Sequence, residues 1–288
     1  MAWDQILFEL INGVVWGLVL SVIALGLCLI YGLMGVINLA HGSLYMVGAM
    51  CAAYLINKMG AGFWAVLPIS AILVGLLALA LNGAVFERVL TRDPAIGLLA
   101  TAGVFLTLDN VVLSLVGADP QSVTPPVFDV LEFAGIYYPV YRIIAAAIAL
   151  ACLTAVALFL RYTKYGLWMR AVPQARDLAA VTGIPIRRVN ATTVALAGIS
   201  VGLAGALATP ISGAHFQMGL SIIAACFIVV VIGGMGNLVG AVVVAIALGL
   251  IKGLYSTALS PTWSEVAALS TLLCVLYFKP NGIFGRRA

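Results

Sequence analysis

Arg161-Tyr-Thr-Lys-Tyr-Gly-Leu-Trp-Met-Arg-Ala-Val-Pro-Gln-Ala-Arg-Asp-Leu-Ala-Ala-Val-Thr-Gly-Ile-Pro-Ile-Arg-Arg-Val-Asn190 is a basic island in an apolar chain. Its bases are Arg161, Lys164, Arg170, Arg176, Arg187 and Arg188, and its one acid is Asp177. Apolar runs flank it on both sides, each long enough to cross a bilayer, which takes roughly twenty residues. The island therefore reads as a connection between two membrane spans, and its charge places it on the cytoplasmic side. Within it, Pro173 to Gly183 predicts a short helix. Pro173 suits a first turn, Leu178-Ala179-Ala180 favours helix, and Gly183 followed by Pro185 ends it.

Working outward, the whole chain is 64% hydrophobic and 8% charged over 288 residues, with a mean hydropathy of +1.19. A soluble domain carries about 25% charged residues, so this chain cannot cover a water-facing surface and is an integral membrane protein. Long apolar runs predict helices, because a barrel strand needs only about ten residues of alternating polarity. The thirty glycines suit helices packed closely in a membrane. The net charge of +4 sits beside the spans and sets topology; it is not a nucleic-acid signal. The five cysteines (Cys28, Cys51, Cys152, Cys226, Cys274) lie in apolar runs without C-x-x-C pairing and read as small hydrophobes. The first run, behind Asp4 and Glu9, lacks a basic leader and reads as a retained span.

Nine apolar segments follow in order: Ile11–Tyr31, Leu39–Ile56, Phe63–Phe86, Ala95–Val116, Arg142–Leu160, Ala191–Thr209, Leu220–Ile232, Leu238–Leu254 and Glu265–Phe278. The expected fold is an all-α polytopic bundle of eight or nine transmembrane segments, one domain over residues 1–288. The lower count applies if Asn38–Ser43 or Pro210–Gly219 is re-entrant, and Pro210 is expected to break the sixth segment. The loop Gly117–Tyr141 has three acids (Asp119, Asp129, Glu132) and no base, so it faces outside. The Glu87–Asp93 loop, the island at 161–190 and the tail Lys279–Ala288 face the cytoplasm. Ala40-His41-Gly42 and Ala214-His215 faintly suggest related halves, although chance accounts for so short a match.

No catalytic set stands out. The two histidines, His41 and His215, have no carboxylate nearby in sequence, and no H-E-x-x-H, G-x-S-x-G or nucleotide-binding P-loop is read in the chain. No metal site or cofactor is expected on this chain. Asn38 and His41 open the second span; they either face the bundle interior along a polar path or cap the helix. Asp109 and Asn110 lie within the fourth span, as a polar pair on a path or as a structural pair. Asp109 stands out as the ionisable group inside a span. Asn12 and Asn82 read as helix–helix glue. Gly233, Gly234, Gly236 and Gly240 predict a sharp turn between spans, not a phosphate cradle. Gly198, Gly202 and Gly205 predict close packing on one helix face.

Five stretches in order resemble one family. They are Ile37-Asn-Leu-Ala-His-Gly42; Glu87-Arg-Val-Leu with Ala100-Thr-Ala-Gly103; Arg170-Ala-Val-Pro-Gln-Ala-Arg-Asp-Leu-Ala-Ala-Val-Thr-Gly-Ile184; Val231-Ile-Gly-Gly-Met-Gly-Asn-Leu-Val-Gly-Ala241; and Lys279-Pro-Asn-Gly-Ile-Phe-Gly285. Together they resemble the branched-chain amino acid (LivH-type) permeases of ABC importers. Ser43 and Asn237 depart from that pattern, standing where an acid and a serine are common. The resemblance implies a permease subunit in a bacterial inner membrane, without enzymatic activity of its own. It implies a second, LivM-like permease, two cytoplasmic ATPases that carry ATP and Mg, and an external solute-binding protein. It also implies that Arg170, Ala171, Ala179, Ala180, Gly183 and Ile184 belong to a coupling segment that docks on the ATPase. Small Ala179 and Ala180 suit a partner groove, with Arg176 and Asp177 pairing at its rim; the plain alternative is a basic loop that only sets orientation. The implied cargo is a branched-chain or other amino acid, with urea or a short amide as the alternative. A stand-alone secondary transporter is disfavoured by the shortage of ionisable residues within the spans, and an intramembrane enzyme by the missing catalytic set.

Overall fold

The computed structural model describes residues 3–89, 94–133, 135–279 and 282–284. Arg92 and Asp93 of the Glu87–Asp93 loop, and Arg286 and Arg287 of the tail, lie outside those residues.

Twelve helices are described: α1 (Trp3–Met34), α2 (Ala40–Asn57), α3 (Phe63–Leu81), α4 (Glu87–Val89), α5 (Pro94–Val116), α6 (Val140–Tyr162), α7 (Lys164–Ala171), α8 (Arg176–Val181), α9 (Ile186–Ser212), α10 (Met218–Gly233), α11 (Leu238–Ser256) and α12 (Pro261–Phe278). A π-helical turn, Asn82–Phe86, joins α3 to α4. Six segments are long and apolar enough to cross a membrane: α1, α3 as far as Val89, α5, α6, α9 and α11. The nine segments read from the sequence are these six with α2, α10 and α12; α10 and α12 are shorter apolar helices.

The loop before α6 is not wholly irregular. Val130–Phe133 (β1) and Ile136–Pro139 (β2) pair antiparallel, with Phe133 opposite Ile136 and Val130 opposite Pro139. β-branched and aromatic residues favour this pairing, and Gly135, at φ +81, turns the chain. The hairpin pins α1. Tyr138 Oη donates to Asn12 Oδ1 at 2.9 Å, the Arg142 guanidinium donates to the same oxygen, and Phe8 meets Tyr138 edge to face at 5.4 Å. Asn57 on α2 donates to the Ser122 carbonyl, so the end of α2, the start of α1 and the hairpin share one end of the bundle. The opposite end gathers Glu87, α7, α8 and the start of α9.

Packing pairs mirror one another. α1 lies antiparallel on α11, where Gly13 faces the Gly249 backbone and Gly17 faces Ala245 and Ile246. α9 lies antiparallel on α3, where Gly198 faces Gly75 and Ala78 and Gly202 faces Ser70 and Val74. α5 packs on α2 as α12 packs on α10. α1 runs from the hairpin end to the basic end and α9 runs the other way, so α1–α2–α3–α5 and α9–α10–α11–α12 form an inverted repeat, an arrangement common in transporters. α2 and α10 meet at the centre, with Gly42 and Gly219 each against the other's carbonyl. Both α1 and α9 end at a glycine of positive φ, Gly35 (+66) and Gly213 (+71), and non-helical residues 35–39 and 213–217 follow. The two Ala-His pairs do not superpose: His41 lies inside α2, whereas His215 lies inside the second break.

Pro210 does not break α9, contrary to the sequence expectation; the helix runs on to Ser212. A proline so near a helix end removes few ladder bonds, and neighbouring groups serve the carbonyls around it. Tyr141 Oη donates to the Leu207 carbonyl at 2.7 Å and Ser212 Oγ to that of Ala208 at 3.2 Å. The break comes at Gly213, whose conformation other residues avoid.

Candidate functional site

Most of the residues singled out from the sequence fall into three places. The first is the centre of the bundle. Asn38 lies in the non-helical segment after α1 and is 1% exposed. It does not cap α2: Leu39 is the N-cap residue and receives no side-chain cap bond. Among the described residues neither amide atom of Asn38 has a hydrogen-bond partner. It borders a cavity of about 10 Å³ with Met34, Phe86 and Thr101, at the lower limit for one water. Within the break Asn38 alone is buried, Gly35 and Ile37 are exposed, and Thr101 Oγ1 donates to the Ile37 carbonyl at 3.1 Å. His41 is fully enclosed, and its Nε2 donates to the Ile23 carbonyl at 2.9 Å. A Cβ on Gly26 would stand 2.9 Å from the His41 ring, so the imidazole is clamped between helices and does not line an open passage.

Asp109 and Asn110 are elsewhere. Ser43 Oγ on α2 donates to Asp109 Oδ1 on α5 at 2.6 Å, an interhelical polar pair. The serine that departs from the family pattern is thus the donor. Asp109 and Asn110 face a cavity of about 640 Å³ shared with Gln217 and Ser221 at the start of α10.

The second place is the basic end. Thr163 caps α7, its Oγ1 accepting from the Gly166 amide at 3.0 Å and donating to the Phe159 carbonyl at 2.7 Å. Lys164 Nζ sits 5.0 Å over the Trp168 ring. Such an amphipathic turn suits a membrane surface. The island therefore holds two helices where the sequence predicted one: Arg170 and Ala171 belong to α7, residues 172–174 form a turn, and the second helix starts at Arg176, not Pro173. α8 ends as expected at Gly183, φ +82. The Ile184 amide donates to the Ala179 carbonyl at 3.1 Å and the Gly183 amide to that of Ala180 at 3.0 Å, the doubled bonding of a Schellman cap. This cap tucks Ile184 against the core and turns Ala179 inward, 6% exposed. The groove-filling role expected of Ala179 is therefore corrected: the outward apolar side chains of α8 are Leu178, 66% exposed, and Val181, 86% exposed, beside exposed Arg176, Asp177 and Ala180. Helical spacing of 178 and 181 carried that signal in the sequence. Arg187 Nε donates to Glu87 Oε2 at 2.8 Å, tying the start of α9 to α4, and Asn82 Nδ2 donates to Glu87 Oε1 at 3.2 Å.

The third place is the turn from α10 to α11. Gly234 (φ +91) and Gly236 (φ +83) reverse the chain, and Gly240 lies against the Gly233 carbonyl with no room for a Cβ. Asn237 is the N-cap of α11: its Oδ1 accepts from the Gly240 amide at 3.1 Å and its Nδ2 donates to the Phe284 carbonyl at 3.1 Å. The Ile283 amide adds a bond to the Ile232 carbonyl at 2.7 Å. Asn237→Ala should therefore cost about 1 kcal/mol and free the tail; a thermal melt lowered by a few degrees, with faster chymotryptic cleavage after Phe284, checks it.

Two features escaped the sequence reading. Asp109 is not alone within the spans: Lys252 on α11 lies 3.7 Å from Glu265 on α12. And Gly198-Ile-Ser-Val-Gly202 has the letters of a hydrolase nucleophile elbow. It sits mid-helix in α9, Ser200 Oγ donates to the Leu196 carbonyl at 2.8 Å, and its glycines pack on α3, so no exposed nucleophile results. Among the described residues no cluster of three or more histidines, cysteines or carboxylates could hold a metal ion.

A family model for the permease component of branched-chain amino acid transport systems matches residues 9–276. The chain belongs to that family. The high-affinity branched-chain amino acid transport system permease protein LivH of Escherichia coli (strain K12) is 29% identical over 96% of this chain and 95% of its own length. The corresponding protein BraD of Pseudomonas aeruginosa is 26% identical over the same shares. Among solved structures, PsaBC from Streptococcus pneumoniae in complex with Fab aligns with a TM-score of 0.52 at 14% identity, covering 94% of this chain and 91% of that one; this likeness concerns the fold. The permease is thus a multi-pass membrane subunit of an ABC transporter, working with other membrane, ATPase and binding-protein components, and is not an enzyme.

Proposed function

We propose that this permease imports branched-chain amino acids, as the single membrane domain formed by residues 1–288. Its partners are a second, LivM-like permease, two cytoplasmic ATPases and an external solute-binding protein. It sits in a bacterial inner membrane with its basic end and C-terminus in the cytoplasm. No cofactor is needed on this chain, because ATP and Mg reside on the ATPases. Relatives that carry this cargo in their names match almost the full length of the chain. The observation that carries the coupling role is α8: a capped helix at the basic end, between two spans, presenting Leu178 and Val181 outward. Apolar anchors on one helix face, rimmed by Arg176 and Asp177, suit a groove on a partner. Arg170 and Ala171 end α7 just ahead of the turn into α8, and Gly183 and Ile184 fix its angle.

Purification of tagged permease from its native host, together with uptake of labelled L-leucine into right-side-out membrane vesicles, tests the reading. ATPase chains should co-purify, and uptake should stop when ATP is depleted while the ion gradient is kept. Uptake that continues without ATP would overturn it.

A further inference from the structure

A cavity of about 170 Å³ lies between α1, α10, α11 and α12, and borders the Asp109–Asn110 cavity at Ser221. Roughly 300–1,000 Å³ is usual for drug-sized ligands, so this one admits only a small solute. One wall is apolar, formed by Leu20, Met218, Ile222 and Leu248; the rim is polar, with Lys252, Glu265, His215 and Ser212. Ser212 and His215 are exposed and lie at the hairpin end, so the rim opens there. Lys252 Nζ stands 3.7 Å from Glu265 Oε2, with side chains 35% and 46% exposed. That separation exceeds a hydrogen bond, so the ammonium and the carboxylate each keep bonding capacity for a third group. Trp16, with its ring 5.8 Å from Nζ, backs the lysine. An acid and a base side by side above an apolar wall match one solute chemistry: an anion and a cation one carbon apart, with an aliphatic tail.

We propose that this cavity is a subsite, within the single subunit, for a small aliphatic α-amino acid. The carboxylate meets Lys252, the ammonium meets Glu265, and the side chain rests on Leu20, Ile222 and Leu248. The proposal rests on the amino-acid reading above. It also gives the Lys252–Glu265 pair a purpose that an exposed ion pair, typically worth no more than about 1 kcal/mol, does not supply by stability alone.

The test uses the assembled transporter in proteoliposomes with its binding protein. Lys252→Met and Glu265→Gln should each lower L-leucine uptake about tenfold or more, the loss expected for one charge-assisted contact, in complexes recovered intact by gel filtration. The exchange Lys252→Glu with Glu265→Lys keeps an ion pair but reverses it, and should not restore uptake. In a second measurement, Ser212→Cys at the rim of this cavity is labelled with a thiol reagent, above the labelling of the unsubstituted protein. L-leucine should protect it; leucinamide, which lacks the carboxylate, and 4-methylpentanoate, which lacks the ammonium, should not. Restoration by the exchange would make the pair structural and overturn the proposal. So would protection by all three solutes alike, or protection that follows the phosphatidylethanolamine content of the vesicles. If the unsubstituted complex moves no L-leucine, the amino-acid reading itself fails; if it does and the variants match it, only the subsite fails.

Discussion

Val181→Asp, or Leu178→Asp, is expected to abolish most solute-stimulated ATP hydrolysis while leaving the permease inserted and folded. Both side chains point away from the bundle, so neither substitution disturbs the core. Burying one such side chain against a partner is worth about 1.5–3 kcal/mol, and a buried, unpaired carboxylate adds a further penalty. A loss of 2 kcal/mol alone weakens docking about thirtyfold. Co-purification of the ATPase and ATP hydrolysis with and without loaded binding protein measure it; stimulation at the normal level in the Val181 variant would remove α8 from the contact. Gly183→Val should reach the same phenotype by another route. A left-handed backbone costs an L-residue about 1–2 kcal/mol, and no atom stands near enough to clash, so the variant misaims α8 without overpacking it. Ala179→Asp is predicted to differ from all three. It places a charge against the core cluster and should lower thermal stability before it affects coupling.

The second large effect is expected at the centre. Gly42→Leu should leave little folded permease. A Cβ there meets the Gly219 carbonyl and stands 2.9 Å from Ile223 Cβ, and backbone cannot retreat as a flexible side chain can. Overpacking of a dense core costs about 1–3 kcal/mol and at times more; the leucine side chain falls at the high end because α2 and α10 would have to separate. Gly42→Ala, with the Cβ alone, should lower the melting temperature by about 5 °C or more and remain measurable. A melt of Gly42→Leu at the parental temperature would contradict the crossing of α2 and α10.

The sequence made membrane helices legible because their length and apolarity are local properties, and the end of α8 was legible because Gly183 and Pro185 act locally too. What it hid depends on distance along the chain. The π-helical turn at Asn82–Phe86 follows unremarkable letters. The inverted repeat is carried by glycine-ended breaks and by pairings such as Gly13 with Gly249, which leave no repeating string. The inward turn of Ala179 follows from a six-residue helix lying on a core formed by remote helices, so composition named the right segment and the wrong face. Lys252 was passed over because a single lysine near the end of an apolar run looks like a boundary; only its approach to Glu265 and Trp16 gives it a setting.

The bonds from Asn237 to Phe284 and from Ile283 to Ile232 have a practical side. They strap the last described residues onto the α10–α11 turn, on the same end as α8. A fluorescent protein or affinity tag fused directly behind Phe284 would begin at that strap and crowd the surface proposed for the ATPase. The same tag placed ahead of Trp3 starts at the far end of α1, beside the hairpin, and leaves that surface clear.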